Sequence, residues 1–396
     1  MTLSSDMKVL VSRLSRLTEK LRFDRNELAG SFGDIGTDFP LITAMILVAN
    51  LDAASVLIMF GLMQLLTALL YGLPMPTQPL KAVAAIVITQ RISAGVLYGG
   101  GLAVGIIMLV LTVAGLTDWL ALKVPKVVIR GIQFGLGLQL ATLAAGEYIP
   151  SEGVMGYALS GLAFVITITF LGNRRVPAAL LVILLGVVFA LAFKVQISEI
   201  VQGVGLTLPK PNFPQAAEVW TGFLVLALAQ IPLSLGNSIL ATRQVALDLF
   251  ERRAPSIRKI SYTYSLMNLV NPFFSGIPTC HGSGGMVGHY TFGGRTGGSV
   301  FLYGLLYLAL GLFFSGTFSE VIHFFPQPVL GVILVFEGIG LMLLARDVAV
   351  SNSSFMLVLL VGVMAVALPY GYLVGLIVGT LLFYARKPTT NRPGED

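Results

Sequence analysis

Residues 74–86, PMPTQPLKAVAAI, set three prolines and a lysine inside a stretch otherwise apolar enough for a bilayer. A proline exposed to lipid at mid-depth would leave backbone groups unpaired at a cost of several kcal/mol each, so this broken backbone has to be buried in protein and line a cavity. The reading that follows is an extended run, PMPTQP, entering to mid-depth, where Pro79 starts a half-helix. A second stretch repeats the peculiarity: residues 275–288, SGIPTCHGSGGMVG, carry Pro278-Thr279 at an offset of 202 from Pro76-Thr77. Here GIPTCH enters from the other face, and Gly282, Ser283, Gly284 and Gly285 start a half-helix of opposite direction. Two helix N-termini then meet, each with free amides and roughly half a positive charge, which together make an anion site.

Composition agrees with a membrane setting. The 396 residues are 56% hydrophobic and 11% charged, with a mean hydropathy of +0.87, more apolar matter than one water-soluble core can use. Apolar runs separated by short polar breaks fill residues 28–385, and fourteen segments are expected: 28–51, 53–72, 74–90, 93–115, 126–145, 154–171, 176–193, 219–241, 260–275, 277–291, 297–317, 326–345, 352–368 and 370–385. Cys280 is the only cysteine, which rules out an intrachain disulfide. No removable signal peptide is expected. Residues 7–23, MKVLVSRLSRLTEKLRF, place Leu10, Leu14, Leu17 and Leu21 on one helical face, with Arg13, Arg16, Lys20 and Arg22 elsewhere; the pattern suits an interfacial helix or a plain basic tail.

With both termini in the cytoplasm, alternation assigns 21 of the 25 basic residues to the inside and only Arg91, Lys194 and Lys210 to the outside, while Lys81 falls within a span. Basic loops facing anionic lipid account for the net charge of +6, and no basic-aromatic pattern calls for nucleic acid. The expected setting is a plasma (inner) membrane crossed many times.

The two broken segments are not the only internal match. VPKVVIRGIQFGLGL from Val124 compares with QPVLGVILVFEGIGL from Gln327, so that Pro125, Gly135 and Gly137 meet Pro328, Gly338 and Gly340. Segments one and eight both look interrupted, by GSFGDIGTDFP (30–40) and AQIPLSLGNS (229–238). Seven spans followed by seven is the consequence. Because seven is odd, the second half enters from the opposite side as an inverted repeat.

The same residues carry a family resemblance. FGDIGT (32–37), PMPTQPLKA (74–82) and PTCHGSGG followed by FGGRTGGS (278–299) resemble signature segments of the molybdate transporter family, a distant branch of the sulfate permease superfamily. The resemblance implies an all-α polytopic fold with a seven-plus-seven inverted repeat, as in uracil permeases. It implies a core domain from residues 28–115 and 219–318 and a gate domain from 126–193 and 326–385, flanked by cytoplasmic tails 1–27 and 386–396. It leaves no room for the C-terminal regulatory domain of typical sulfate permeases. Asp38 departs from the pattern, where a nonpolar or aromatic residue is expected.

Individual residues carry the chemistry. An ammonium at Lys81, one turn into the first half-helix, needs a partner, either a dianionic oxyanion or one of the carboxylates Asp34 and Asp38. Two bare carboxylates would repel a dianion, so one of Asp34 and Asp38 is protonated or is paired with Lys81; Asp38 could also be a water-exposed gate residue. Glu337 in span twelve is a third candidate proton carrier, or a protonated packing residue. Gly33, Thr77, Gln78, Cys280, His281, Gly282, Ser283, Gly284 and Asn237 complete the expected substrate site, with Gln230 beside them and Gln133 on the gate side. Helix capping is an equal reading of Thr77, Gln78 and Ser283. No metal-ligand set, nucleotide-binding loop or catalytic constellation is present in the sequence, which disfavours ATP-driven transport and enzymes and predicts no cofactor. The expected function is secondary transport of molybdate, or of tungstate or sulfate, by alternating access with proton coupling. An anion channel and a nucleobase permease are the alternatives. Partners are the oxyanion and the bilayer, with a homodimer left open.

Overall fold

A computed structural model describes residues 20–117, 119, 124–171, 178–193, 204–318, 325–349 and 351–385. The chain enters through α1 (Arg25–Gly30) and α2 (Ile35–Ala49), separated by a turn at residues 31–34, so segment one is broken where the sequence suggested. α3 (Ala53–Tyr71) starts on the carboxylate of Asp52, which accepts from the Ser55 amide at 2.9 Å, and stops at Gly72 with φ of 62°. Then come the strand β1 (Thr77–Pro79), the half-helix α4 (Lys81–Gln90), α5 (Ala94–Val113), α6 (Lys126–Leu143), α7 (Gly153–Thr169) and α8 (Ala178–Phe193). The second half runs through α9 (Ala216–Arg253), α10 (Ile257–Val270), β2 (Thr279–His281), the half-helix α11 (Ser283–Thr291), α12 (Gly298–Phe313), α13 (Gln327–Leu343), α14 (Asn352–Ala367) and α15 (Gly371–Ala385). Helix occurs in every segment expected to span. Among the described residues, five helical runs are long and apolar enough to cross a bilayer outright: Ala53–Tyr71, Ala94–Val113, Lys126–Thr169, Ala216–Arg253 and Gln327–Val348.

β1 and β2 pair antiparallel, with Thr77 opposite His281, Gln78 opposite Cys280 and Pro79 opposite Thr279. A two-stranded sheet has two outer edges, and buried edges need partners. Amide side chains supply them. Gln64 on α3 donates to Thr77 O (2.8 Å) and accepts from Thr77 N (2.9 Å). Asn268 on α10 does the same for Thr279, at 2.7 and 3.0 Å.

Three local expectations change. α4 begins at Lys81 rather than Pro79, because Pro79 is committed to the strand pair and Leu80 N donates to Pro278 O at 3.2 Å; Lys81 is therefore the first helical residue. Segment eight is not interrupted. α9 stays helical past Pro232 by widening into π-helical turns at Phe223–Ala227 and Ser234–Ala241, which absorb the missing donor and the ring of a mid-helix proline. α9 also continues to Arg253, well beyond its expected end at 241; at about 1.5 Å per residue it outruns a hydrocarbon core of about 30 Å, and its last turns pack on α11. Finally, residues 21–24 are not helical, so any amphipathic N-terminal helix ends at Lys20; Leu10, Leu14 and Leu17, like residues 386–396, lie outside the described residues.

Packing sorts the helices into neighbours. α12 lies along α3, and α5 lies against α10 and the start of α9. α6 packs on α13 and α14, and α14 on α15. α6 and α13 touch backbone to backbone at Gly137 and Gly338, where an added Cβ would stand 2.3 Å from Gly338 O or 2.5 Å from Gly137 O. Both glycines lie in the two matched segments, although the match sets Gly137 against Gly340 and Gly338 against Gly135. α4 meets α6, and α2 meets α8 and α13, so the two groups share a seam.

Two fastenings hold the first group together. The carboxylate of Glu27, 2% exposed, accepts from Arg295 N (3.0 Å), Thr296 N (2.9 Å), Thr296 Oγ1 (2.9 Å) and Ser299 N (2.9 Å), closing the loop before α12 and its first turn. At the opposite end an extended segment, residues 204–215, crosses the helix ends: Thr207 N donates to Leu312 O (2.8 Å), Asn212 N to Phe273 O (2.9 Å), and Lys210 pairs with Asp52 at 2.6 Å.

A cationic cavity at two half-helices

Strand pairing brings the Pro-Thr segments together at the start of α4 and α11. Beside them, against α9 and α6, is a cavity of about 260 Å³ lined by Gln78, Lys81, Arg130, Gln230, Leu233, Asn237, Ser238, Ala241, Cys280, His281, Ser283, Gly284 and Leu344. Two of these side chains are cationic and none is acidic. The volume suits a small oxyanion with a few waters, each of which takes about 30 Å³ in the liquid.

Lys81 makes no hydrogen bond or ion pair within 4 Å with any described residue, although it is close enough to Asp34 to act on that carboxylate electrostatically. Arg130, on the second turn of α6, reaches the cavity from the other side. Its guanidinium forks onto Asp347, with Nε to Oδ1 at 3.0 Å and Nη2 to Oδ2 at 2.5 Å, and its Nη1 donates to Gln133 Oε1 at 2.8 Å. Lys126 takes the same Asp347 carboxylate at 2.8 Å.

The two half-helix ends are not alike. At α4, Gln230 Oε1 accepts from Ala82 N (3.1 Å) and Val83 N (3.3 Å), so α9 already caps that terminus. At α11, Gly282 N donates to Pro76 O (3.2 Å), while Ser283 and Gly284 face the cavity and an added Cβ at Gly284 would meet nothing within 4 Å. The expected pair of open dipole ends is thus one open end, at α11, because α9 supplies a capping amide only to α4.

The remaining expected residues fall behind or beside the cavity. Gln78 Nε2 donates to both oxygens of Asp34 at 2.8 Å, so Asp34, 4% exposed, stands one residue back from the lining. It rests on the first turn of α11, where a Cβ on Gly285 would lie 2.1 Å from Asp34 Oδ2. Asp38 is fully buried and accepts from Tyr303 Oη at 3.2 Å, with Tyr307 3.1 Å beyond, so it is no water-exposed gate residue. Gly33 packs its backbone on Gly288 of α11 and does not line the cavity; a Cβ there would stand 2.4 Å from Gly288 C. Thr77 is buried with Oγ1 unpaired, on the strand face opposite Gln78. Gly282 is the N-cap of α11, packed on the Gln78 side chain. Cys280 and His281 reach the cavity wall, with His281 Nε2 held by Thr263 Oγ1 at 2.7 Å. Asn237 lines the wall from α9. Glu337 lies on α13, and its side chain is outside the described atoms. Sequence reasoning missed Arg130, whose span position looked like an ordinary basic flank, and the roles of Gln64, Asn268 and Glu27.

Residues 26–140 and 222–341 match the family described as "Molybdate transporter of MFS superfamily", and the matched stretches contain the cavity residues except Leu344. The chain belongs to the molybdate transporter family. Relatives in this family are Molybdate transporter 1 of Arabidopsis thaliana, 32% identical across 94% of the chain and 91% of that protein, and Molybdate transporter 2 of the same plant, 32% identical across 87% and 85%. Molybdate transporter 1 of Chlamydomonas reinhardtii is 26% identical across 89% and 90%. The fold is shared with the transmembrane domain of a cyanobacterium bicarbonate transporter, BicA, at a TM-score of 0.67 and 18% identity over 91% of the chain and 98% of that domain. It is shared too with the murine Solute Carrier 26 family member A9 anion transporter, at a TM-score of 0.66 and 15% identity over 96% and 72%. A molybdate transporter family member with this fold is a multi-pass membrane protein of a transporter family rather than an enzyme.

Proposed function

We propose that the protein is a secondary transporter that carries molybdate across the plasma membrane by alternating access, with both termini in the cytoplasm. The observation that carries this reading is the cavity itself: Lys81 and Arg130 face it without a lining carboxylate, at the open N-terminus of α11, in a chain of the molybdate transporter family. Lys81, Ser283 and the first amides of α11 would hold the anion from the core side, with Gln78, Cys280, His281 and Asn237 around it. Residues 28–115 and 219–318 would move as the core against a gate of 126–193 and 326–385, along the seam where α4 meets α6. Fourteen spans in an inverted seven-plus-seven repeat fit the mirrored service of Gln64 to Thr77 and Asn268 to Thr279. The distribution of basic residues supports the orientation.

The test is equilibrium binding of molybdate, tungstate, sulfate and uracil to the purified protein. Molybdate is expected to bind at least about tenfold more tightly than sulfate, about 1.4 kcal/mol, and uracil not to bind. Equal or tighter sulfate binding would overturn the substrate assignment.

Import of a dianion into a negative interior is opposed by roughly 2.3 kcal/mol per charge per 100 mV, which makes a co-transported proton useful. Asp34 is the candidate carrier. While ionised it holds the Gln78 amide by both oxygens; once protonated it frees that amide to turn toward the anion. Asp34→Asn, a fixed mimic of the protonated state, should keep molybdate binding and lose its pH dependence. In proteoliposomes, uptake by the wild type should rise with an inward proton gradient and uptake by the variant should ignore it. An Asn variant that keeps the gradient response transfers the role to Asp38 or Glu337, or to a uniport.

A further inference from the structure

A second cavity, of about 470 Å³, adjoins the first and shares Arg130, Asn237 and Ala241 with it; Lys126, Arg243 and Gln244 also line it. It lies between the start of α6 and the part of α9 that runs past its expected end at residue 241. Of its three cations, Lys126 and Arg130 share the one carboxylate of Asp347, and Arg243 donates to the Pro255 carbonyl (3.1 Å) rather than to a carboxylate. Asp248 takes the Gln244 amide at 2.8 Å and does not line the cavity. The cavity therefore carries more positive than negative charge, with Arg130 standing in the partition between it and the inner site.

We propose that this vestibule is a second oxyanion-binding site, which takes the anion from the inner cavity on its way to the cytoplasm as Arg130 exchanges the Asp347 carboxylate for it. The proposal rests on the inner cavity being the transport site. Three cations against one carboxylate in a recess raise the local concentration of a dianion beside the inner site and so favour its transfer out of that site. A planar guanidinium can hold a carboxylate and a tetrahedral oxyanion in the same forked manner, so the exchange costs little geometry. An anionic lipid headgroup offers similar oxygens. The shared wall with the inner cavity favours the transported ion as the occupant.

Calorimetric titration of the purified protein with molybdate, at low ionic strength and without added anionic lipid, tests this. The wild type should bind two molybdate ions per chain, one tight and one weaker and more salt-sensitive. Lys126→Gln/Arg243→Gln should lose the weaker site, by at least tenfold in Kd, and keep the tight one within threefold. Lys81→Ala should do the reverse. Equal unfolding midpoints show that the variants are folded; should the double variant fail to fold, the single Arg243→Gln carries the same expectation. A wild type that binds one molybdate overturns the proposal and leaves the inner site standing, and so does native mass spectrometry that finds anionic lipid held by the wild type and lost by the double variant. Absence of any molybdate binding overturns both readings.

Discussion

Glu27→Ala should cost the protein about 3–5 kcal/mol, the scale of removing one partner from a buried, charge-assisted network. The substitution leaves Arg295 N, Thr296 N and Ser299 N without their acceptor, the last two of them in buried hydrogen bonds. It also removes a negative charge from the start of α12, where a helix favours one. In detergent, the unfolding midpoint followed by size-exclusion after heating should fall by on the order of 5 °C or more. Glu27→Gln keeps one acceptor oxygen and should fall between the two. An alanine variant as stable as the wild type would show that the loop before α12 finds its partners elsewhere.

Lys81→Ala should weaken molybdate binding by about 1.5–3 kcal/mol, roughly 10- to 150-fold, as expected for a lost charge-assisted contact. A structural lysine would behave differently. Breaking a buried ion pair strands the partner carboxylate and destabilises the fold, but no described carboxylate lies within 4 Å of the Lys81 ammonium, and Asp34 keeps its Gln78 hydrogen bonds without it. Binding should therefore fall while the unfolding midpoint holds or rises. The opposite pattern, unchanged affinity with lost stability, would make Lys81 a fold residue.

What the sequence made legible was the part governed by local rules. Proline and glycine in an apolar run mark broken helix wherever they fall, so Pro76-Thr77 and Pro278-Thr279 announced both strands and both half-helices. Strand alternation could also have separated Gln78, on the cavity, from Thr77, behind it. What stayed hidden depends on which helix lies beside which. Gln230 reads as a polar residue in a span until α9 is set against α4, and only then is it a cap. Arg130 reads as a membrane flank until the seam between α4 and α6 brings it opposite Lys81. Pro232 misled in the other direction: a proline in a span predicts a break, yet π-turns on both sides of it keep the helix whole.

The pairing of β1 with β2 also sets an order of events at the ribosome. Thr77 must wait for His281, about 200 residues later, before its strand has a neighbour. At roughly 5–20 residues per second that is about 10–40 s of synthesis. Through that interval the nascent first half carries an extended segment whose peptide groups no lipid can satisfy, so it has to be sheltered by the insertion machinery or by water. A chain stopped before β2 never leaves that condition, and it should be seen by quality control as unfinished however many of its helices are already in the membrane.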